Sequence, residues 1–466
     1  MTFARLKPYW AIWRLSWPLA LGMVNNAVMQ SVDRFFLAKD SLYSLEASLP
    51  ATMLAWIFLS FFQSTVAYAG VFVAQYHGAS KPRHAILCYY AAVLISLIAG
   101  LLMPLFVPLG EWIFSLPSPN PAVLARECAY YNICILGGFF VFGQMAAGSY
   151  FTGLGQTRIV FWVNVLGNVL NIILDPILIF GWCGIPALGM AGAAYATVTS
   201  VALQWLALTL AAHRAIRHNK TAAPTPTEPP FRFSNLLSMA RRILRLGIPS
   251  GGYSVLNTLS FTIFIFISGR VGDLALAVSN TCFTINYLLF APMEGFALGA
   301  QTLVGQACGR GDYPAARTAT RRTLILTLSL IATACALVLA FHRPLLSLFA
   351  PTSDPADTAA FLNLGTTLLI LMAAWLLFDA TDVVLSGALK GAGDSRFVFW
   401  WMLIAAFLIW LPLVFLTARI HNTMPALWFT IIFYVVIISI GSFIRWHRGK
   451  WTTYNLTSTQ SKGTSS

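Results

Sequence analysis

The chain is short of charge. Asp, Glu, Lys and Arg make up 9% of its 466 residues, against roughly a quarter in an ordinary soluble domain. Beside 58% hydrophobic residues, that deficit excludes water as the solvent for most of the folded surface. Acid is scarcest: 15 Asp and Glu face 29 Lys and Arg, for a net charge of +14. The seven cysteines, Cys88, Cys128, Cys134, Cys183, Cys282, Cys308 and Cys335, are odd in number, lie mostly in apolar runs and show no C-x-x-C spacing. Neither a disulfide framework nor a zinc or other metal site is indicated. All seven histidines fall in loops or at helix ends, which argues against a histidine relay inside a membrane. H-E-x-x-H, G-x-S-x-G and the phosphate-cradling G-x-x-x-x-G-K-[ST] are absent too, which weighs against an intramembrane enzyme.

What the chain does contain is apolar sequence of bilayer length. A spanning helix needs about 20 mostly apolar residues, and such runs recur from Leu15 to Trp446 with short loops between them. Twelve are expected, near 15–37, 49–74, 85–108, 128–151, 159–181, 187–211, 246–268, 274–303, 323–349, 360–388, 397–417 and 426–444. The first follows Arg5, Lys7 and Arg14 as a signal sequence would, but it is too long for an h-region and lacks an A-x-A cleavage pattern, so it is expected to remain as a helix. With the N-terminus in the cytoplasm, the tails and the loops on that side hold 23 of the 29 Lys and Arg. The opposite loops hold five, Lys39, Arg126, Arg270, Arg343 and Arg419, and Arg34 lies inside the first run. This asymmetry follows the positive-inside rule and places both termini in the cytoplasm of a multi-pass plasma-membrane protein, the inner membrane in a bacterium. The basic excess is topology, and no nucleic-acid partner is expected.

The chain is also one unit written twice. Pro18 matches Pro249 at an offset of 231, and the same offset lays Val73-Ala-Gln-Tyr-His-Gly78 on Val304-Gly-Gln-Ala-Cys-Gly309. Further on, Gly153-Leu-Gly-Gln-Thr-Arg158 matches Gly391-Ala-Gly-Asp-Ser-Arg396 at an offset of 238. Matches in the same order are a repeat signal. Six spans per half is an even number, so the halves enter the membrane in the same orientation, related by an axis along its normal with a cavity between them. The expected fold class is an all-α membrane protein of twelve transmembrane helices in two pseudo-symmetric six-helix lobes, 1–212 and 244–445. Residues 213–243, with their basic and Pro/Thr-rich stretch, read as a cytoplasmic linker, and the Ser/Thr-rich 446–466 as a disordered cytoplasmic tail. Asn455-Leu-Thr457 fits a glycosylation pattern, but its cytoplasmic placement makes chance the better reading.

A carboxylate in hydrocarbon costs roughly 2.5–3.5 kcal/mol on the lenient insertion scale, so each one there needs a reason. Asp33, Asp175, Glu294, Asp379 and Asp382 are expected at membrane depth. Asn164, Asn168, Asn171 and Asp175 are spaced by 4, 3 and 4, which keeps all four on one helix face, and Pro176 next to them removes the donor to the Ile172 carbonyl. Asn26, Gln30 and Asp33 form a second stripe on the first helix. Both stripes fit either the lining of a cavity or interhelical hydrogen-bond glue. Asp379, Asp382 and Ser386 share a face in the second half, and two carboxylates so close in a low dielectric favour one of them holding a proton. Glu294 lies in Pro292-Met-Glu-Gly-Phe-Ala-Leu-Gly299, whose G-x-x-x-G permits close helix packing; it fits a coupling role or a buried hydrogen bond equally. Buried acids that alternate between protonated and ionised forms are what a proton-coupled carrier of cationic, apolar compounds requires.

Across residues 12 to 445 the chain resembles the multidrug and toxic compound extrusion (MATE) transporters. The resemblance is carried by Trp17-Pro18, Val32-Asp33, Val73-Ala-Gln-Tyr-His-Gly78, Gly153-Leu-Gly, Gly167-Asn-Val-Leu-Asn-Ile-Ile-Leu-Asp175, Gly189-Met-Ala-Gly-Ala-Ala-Tyr-Ala-Thr197, Val304-Gly-Gln306 and Gly387-Ala-Leu-Lys-Gly391. It implies two six-helix lobes in a V, alternating access, and export of drugs or metabolites in exchange for H⁺ or Na⁺. It also implies that Asp33, Asn171, Asp175 and Thr197 form a proton-coupling network, and that Asp379 is a cation-binding carboxylate of the second half. Members using that second site carry a glutamate eight residues after the helix 7 proline, where this chain has Asn257; the departure favours H⁺ over Na⁺. No cofactor is expected, and the partners expected are small-molecule substrates and membrane lipids around a monomer. The alternative from the same superfamily is a lipid-linked precursor flippase. Such a protein needs a cationic cavity, whereas the charges expected at depth here are five carboxylates against Arg34.

Overall fold

The computed structural model describes residues 7–116, 120–219, 232–351, 354–454 and 456–457. In chain order the helices are α1 Lys7–Asp40, α2 Leu42–Ala67, α3 Ala69–Gly78, α4 Pro82–Leu102, α5 Val107–Ser115, α6 Pro121–Gly153, α7 Thr157–Phe180 and α8 Met190–Asn219 in the first half. The second half follows with α9 Phe233–Ser268, α10 Asp273–Gly309, α11 Tyr313–Ala340, α12 His342–Ser347, α13 Pro355–Ala392, α14 Ser395–Leu403, α15 Leu411–Ile420 and α16 Met424–His447. No strand occurs among the described residues. Several expected spans are compound: α2 and α3 join through Tyr68, α4 and α5 through a 3-10 turn, and α14 and α15 through a π-helical turn at Ile404–Trp410. Among the described residues, eleven segments are long and apolar enough to cross a membrane. The expected first span is long enough, at 34 residues, but Asn25, Asn26, Gln30, Asp33 and Arg34 dilute its apolar character.

The fourth span of each half is the hub. In the first half α6 packs against α2, α4 and α8, and in the second α13 packs against α11 and α16. Both begin in the same way. Asn120 accepts from the Ala122 amide ahead of Pro121, and Asp354 accepts from the Ala356 amide ahead of Pro355; an Asx cap followed by proline satisfies the orphan first-turn donors. Both end alike too: Gly155 and Gly393, the third residues of the repeated Gly-x-Gly motifs, take φ of 80° and 101°, a left-handed turn that glycine adopts without strain.

The chain forms two compact units, and they do not follow the linear division 1–212 and 244–445. One unit contains residues up to Met23, Leu256–Val304 and Tyr313–Tyr454, and the other contains Val24–Val255, Gly305–Asp312 and the chain from Asn455. The first helix of each repeat is thus divided, shortly after Pro18 and Pro249. Close backbone packing explains the exchange. A Cβ on Gly295 or Gly299 of α10 would overlap Ala20 or Ser16 of α1, so the expected G-x-x-x-G face is used and α1 is its partner. In the other unit, Gly247 and Gly251 of α9 sit against Thr65 and Phe61 of α2, and Ser64 and Ser254 are hydrogen-bonded at 2.7 Å. Ser16 and Ala20 correspond to Gly247 and Gly251 at the 231-residue offset, so one contact is made twice.

Three expectations are corrected. Residues 213–219 and 233–243 of the linker are helical, as the ends of α8 and α9; the Pro/Thr-rich centre of the linker lies outside the described residues. The tail reading of 446–466 fails for its first part. Trp446 and His447 belong to α16, and Trp451 is fully buried, stacked on Trp446 at 4.3 Å between ring centroids. Residues beyond Thr457 lie outside the described residues. Lys390, counted above with a loop, is within α13.

The tightest approach joins the repeated motifs themselves. A Cβ on Gly78 would fall on the Gln306 carbonyl and one on Gly309 on the Gln75 carbonyl, while Gln306 Nε2 donates to the Gly153 carbonyl at 3.0 Å. At Gly148 of α6, by contrast, an added Cβ meets nothing closer than 3.9 Å. Gly78→Ala is expected to destabilise the purified protein by about 1–3 kcal/mol through overpacking, whereas Gly148→Ala is neutral or up to about 1 kcal/mol stabilising. Thermal unfolding in detergent reads both, and equal Tm values for the two variants would refute the packing.

Candidate functional site

The α7 stripe is buried and faces its neighbours as spaced. Asn171 and Asp175 are both 0% exposed and Asn168 is buried with them. Asn168 Nδ2 donates to Asn26 Oδ1 of α1 at 2.8 Å. Its own Oδ1 accepts from Gln204 Nε2 of α8 at 3.4 Å. Gln204 Oε1 accepts in turn from Gln144 Nε2 of α6 at 2.6 Å, and the same Gln144 nitrogen reaches Asn164 Oδ1 at 3.1 Å. Gly167 leaves the space that the Gln204 side chain fills, since any Cβ there would overlap it. Four helices are thus tied by one chain of amides, the arrangement expected where no water competes for the bonds.

One turn further along, the chain of amides gives way to acids. The Asn171 amide satisfies both its neighbours in a single orientation, donating to Asp33 Oδ1 at 3.0 Å and accepting from the Thr197 backbone amide at 3.3 Å. The Thr197 hydroxyl donates to the Ala193 carbonyl at 3.0 Å. Both Asp175 oxygens are shielded from solvent and meet no N–H or hydroxyl donor. The group within hydrogen-bonding reach is the Asp33 carboxyl. Two ionised carboxylates only accept, so a bond between them requires a proton on one. Tyr130 and Cys134 of α6 are within electrostatic reach of Asp33. Arg34, also within reach, is exposed. Asp33 is half-buried and Asp175 sealed from solvent. Gln30 is exposed and joins none of these bonds.

The second half holds a different cluster. Asp382 is buried and accepts from Ser442 Oγ of α16 at 2.6 Å, and the half-buried Asp379 is one turn away on α13. Ser386, expected with them, donates instead to the Val383 carbonyl of its own helix. Glu294 of α10 is exposed rather than buried, and Lys390 lies within electrostatic reach of both Glu294 and Asp382. Tyr434, beside both aspartates, stacks on Trp410 at 4.5 Å. Asn257 is half-buried on α9, with no hydrogen bond to these acids. A cavity of about 530 Å³ lies elsewhere, lined by Ile409, Leu413, Thr417, His421, Phe429 and Phe433, and includes none of the acids.

Sequence reading missed Gln144, Gln204 and Lys390. Gln204 had a signal, since it falls seven residues after Thr197, two turns along the same face. Lys390 was hidden by the longer reach of α13.

This all-helical, membrane-length fold with polar networks inside its bundles is that of a transporter. The chain belongs to the MatE family, whose model matches residues 18–177 and again 249–416, one match per repeat, starting at Pro18 and Pro249. It is 28% identical over 408 residues to the multidrug resistance protein NorM of Burkholderia vietnamiensis, covering 85% of this chain and 84% of that one. It is also 28% identical over 305 residues to the probable multidrug resistance protein NorM of Chromobacterium violaceum, covering 65% of this chain and 62% of that one. In fold it is similar to an outward-facing structure of a multidrug resistance MATE family transporter of the MOP superfamily, with a TM-score of 0.83, 19% identity and 96% of each chain covered.

The Asn26–Asn168 bond can be weighed on its own. A double-mutant cycle of Asn26→Ala and Asn168→Ala, read by unfolding in detergent, is expected to give a coupling of about 0.6 to 1.7 kcal/mol. The cycle of Asn26→Ala with Asn164→Ala, which share no bond, is expected near zero; equal couplings would dissolve the assigned network.

Proposed function

We propose that the protein is a proton-coupled multidrug exporter that carries small amphipathic or cationic compounds out of the cell by alternating access. The observation that carries this reading is the Asp33–Asp175 pair. Two carboxyl groups from different helices stand in hydrogen-bonding reach, one of them with no other donor, so the packing of α1 on α7 depends on whether a proton is present. Arrival of the proton favours the paired arrangement and its departure leaves two like charges in a low dielectric. A group whose charge state favours one packing over another couples ion binding to conformation. The names of the NorM relatives support a multidrug substrate range.

Protons fit better than sodium on a second ground. Where a sodium site would need carboxylates free of competing cations, Asn257 stands in place of an acid, and Lys390 is within electrostatic reach of Asp382. The flippase alternative gains nothing from Lys390, since that cation is compensated by Glu294 and Asp382. The basic-residue asymmetry supports cytoplasmic termini in a plasma membrane.

Asp33→Asn and Asp175→Asn are each expected to reach the membrane and to lose pH-gradient-driven ethidium efflux by about tenfold or more, the scale of removing an essential ionisable group. Proteoliposomes given separate H⁺ and Na⁺ gradients should respond to the first. Full efflux in both variants would remove the mechanism.

A further inference from the structure

The C-terminal tail lies against the contact between the repeated motifs. Gln75 takes part twice. Its carbonyl sits under Gly309, where no Cβ fits, and its side-chain Oε1 accepts from the Leu456 amide at 3.2 Å. The Leu456 carbonyl accepts from Arg242 Nη2 of α9, whose Nη1 donates to the Tyr76 hydroxyl at 2.9 Å. Lys81 Nζ donates to the Thr457 carbonyl at 3.4 Å, and the Leu456 side chain packs on the apolar core of the first half. Under this cover Gln75 is 1% exposed. All of these groups belong to one compact unit, whereas Trp451 belongs to the other.

We propose that Leu456 and Thr457 form a releasable latch that holds Gln75, and through it the Gln75–Gly309 and Gly78–Gln306 contacts. The docking includes hydrogen bonds from the tail's own backbone groups to side chains and the packing of one leucine, with no helix to unwind. It can therefore let go and return without disturbing the bundle, as a segment does that orders in one conformational state and releases in the other. While docked it stabilises the contact between the motifs. Released, it takes one donor from the Gln75 side chain and one acceptor from Arg242, and the motif contact loosens. The consequence for transport rests on the alternating-access reading above; the latch itself does not.

Cys308, 5% exposed and next to Gly309, reports on the contact. The full chain, with its other six cysteines replaced by alanine, is labelled with a polar maleimide in inverted membrane vesicles. Leu456→Pro, which removes the amide that Gln75 accepts from, and a chain ending at Tyr454 are each expected to raise the Cys308 labelling rate about fivefold, the scale of losing about one net hydrogen bond. Unfolding curves matching the parent show that each variant is folded. A labelling rate within about twofold of the parent in either folded variant overturns the latch. Faster labelling in both supports it, even if no variant and no parent shows efflux, an outcome that would instead count against the exporter reading.

Discussion

A carboxyl group buried in a helix bundle, out of reach of water and of any N–H donor, is tolerable only when it shares a proton, and Asp175 is in that position. Everything around it conforms to the requirement. Asp33 supplies the partner carboxyl from α1, Asn171 donates to Asp33 Oδ1, and Thr197 fixes Asn171 through its backbone amide. The amides of Asn168, Gln204, Gln144 and Asn164 lock the helices that present these groups. A network of this kind is rigid when complete and costly when broken. A break at either acid is therefore felt across four helices, and not only at the acid.

The scaffold that holds the network is fixed by glycines, and the repeat shows which of them matter. The approach of α1 to α10 through Ser16, Ala20, Gly295 and Gly299 is repeated by α9 on α2 through Gly247 and Gly251. Lipid tails are as apolar as leucine, so helices in a bilayer gain little from hiding side chains and much from backbone proximity. Small residues at equivalent positions of both halves are that proximity written into the chain. The same logic accounts for the division of α1 and α9 just past their prolines: the half of each helix before the break is held by the glycine contact, and in α1 the half after it carries a polar stripe. In α1 that second half contains Asn26 and Asp33.

Much of this was legible in the residues. Twelve spans, the doubled motifs, the α7 stripe and the α1 stripe follow from hydropathy and from spacing by three and four, because a helix face is a local property. Gly78 and Gly309 were visible as matched positions, but not as partners, since which two glycines touch is decided by tertiary packing. The linear lobes failed because exchange of half-helices leaves no mark on composition. Lys390 failed for a related reason. A hydropathy window ends where a charge begins, and an internally compensated lysine on the last turn of α13 reads as loop. The ordered tail at Trp451 and Leu456 escaped because a Ser/Thr-rich stretch is read by its average, while two apolar side chains decide whether it docks.

The two halves share a fold and differ in electrostatics. Among the described residues of the first half, Arg34 is the cation within electrostatic reach of Asp33, and it is exposed to its surroundings. In the second half Lys390 lies within electrostatic reach of Glu294 and Asp382, and Ser442 donates to the latter, so part of the charge is balanced by the protein itself. A fixed counter-charge makes a cluster insensitive, because its energy changes little as the medium changes; an absent one makes it responsive. One scaffold, written twice, thus carries two arrangements of acids: in the first half two carboxyl groups face each other beside a chain of amides, and in the second a lysine of the protein itself stands within electrostatic reach of the acids.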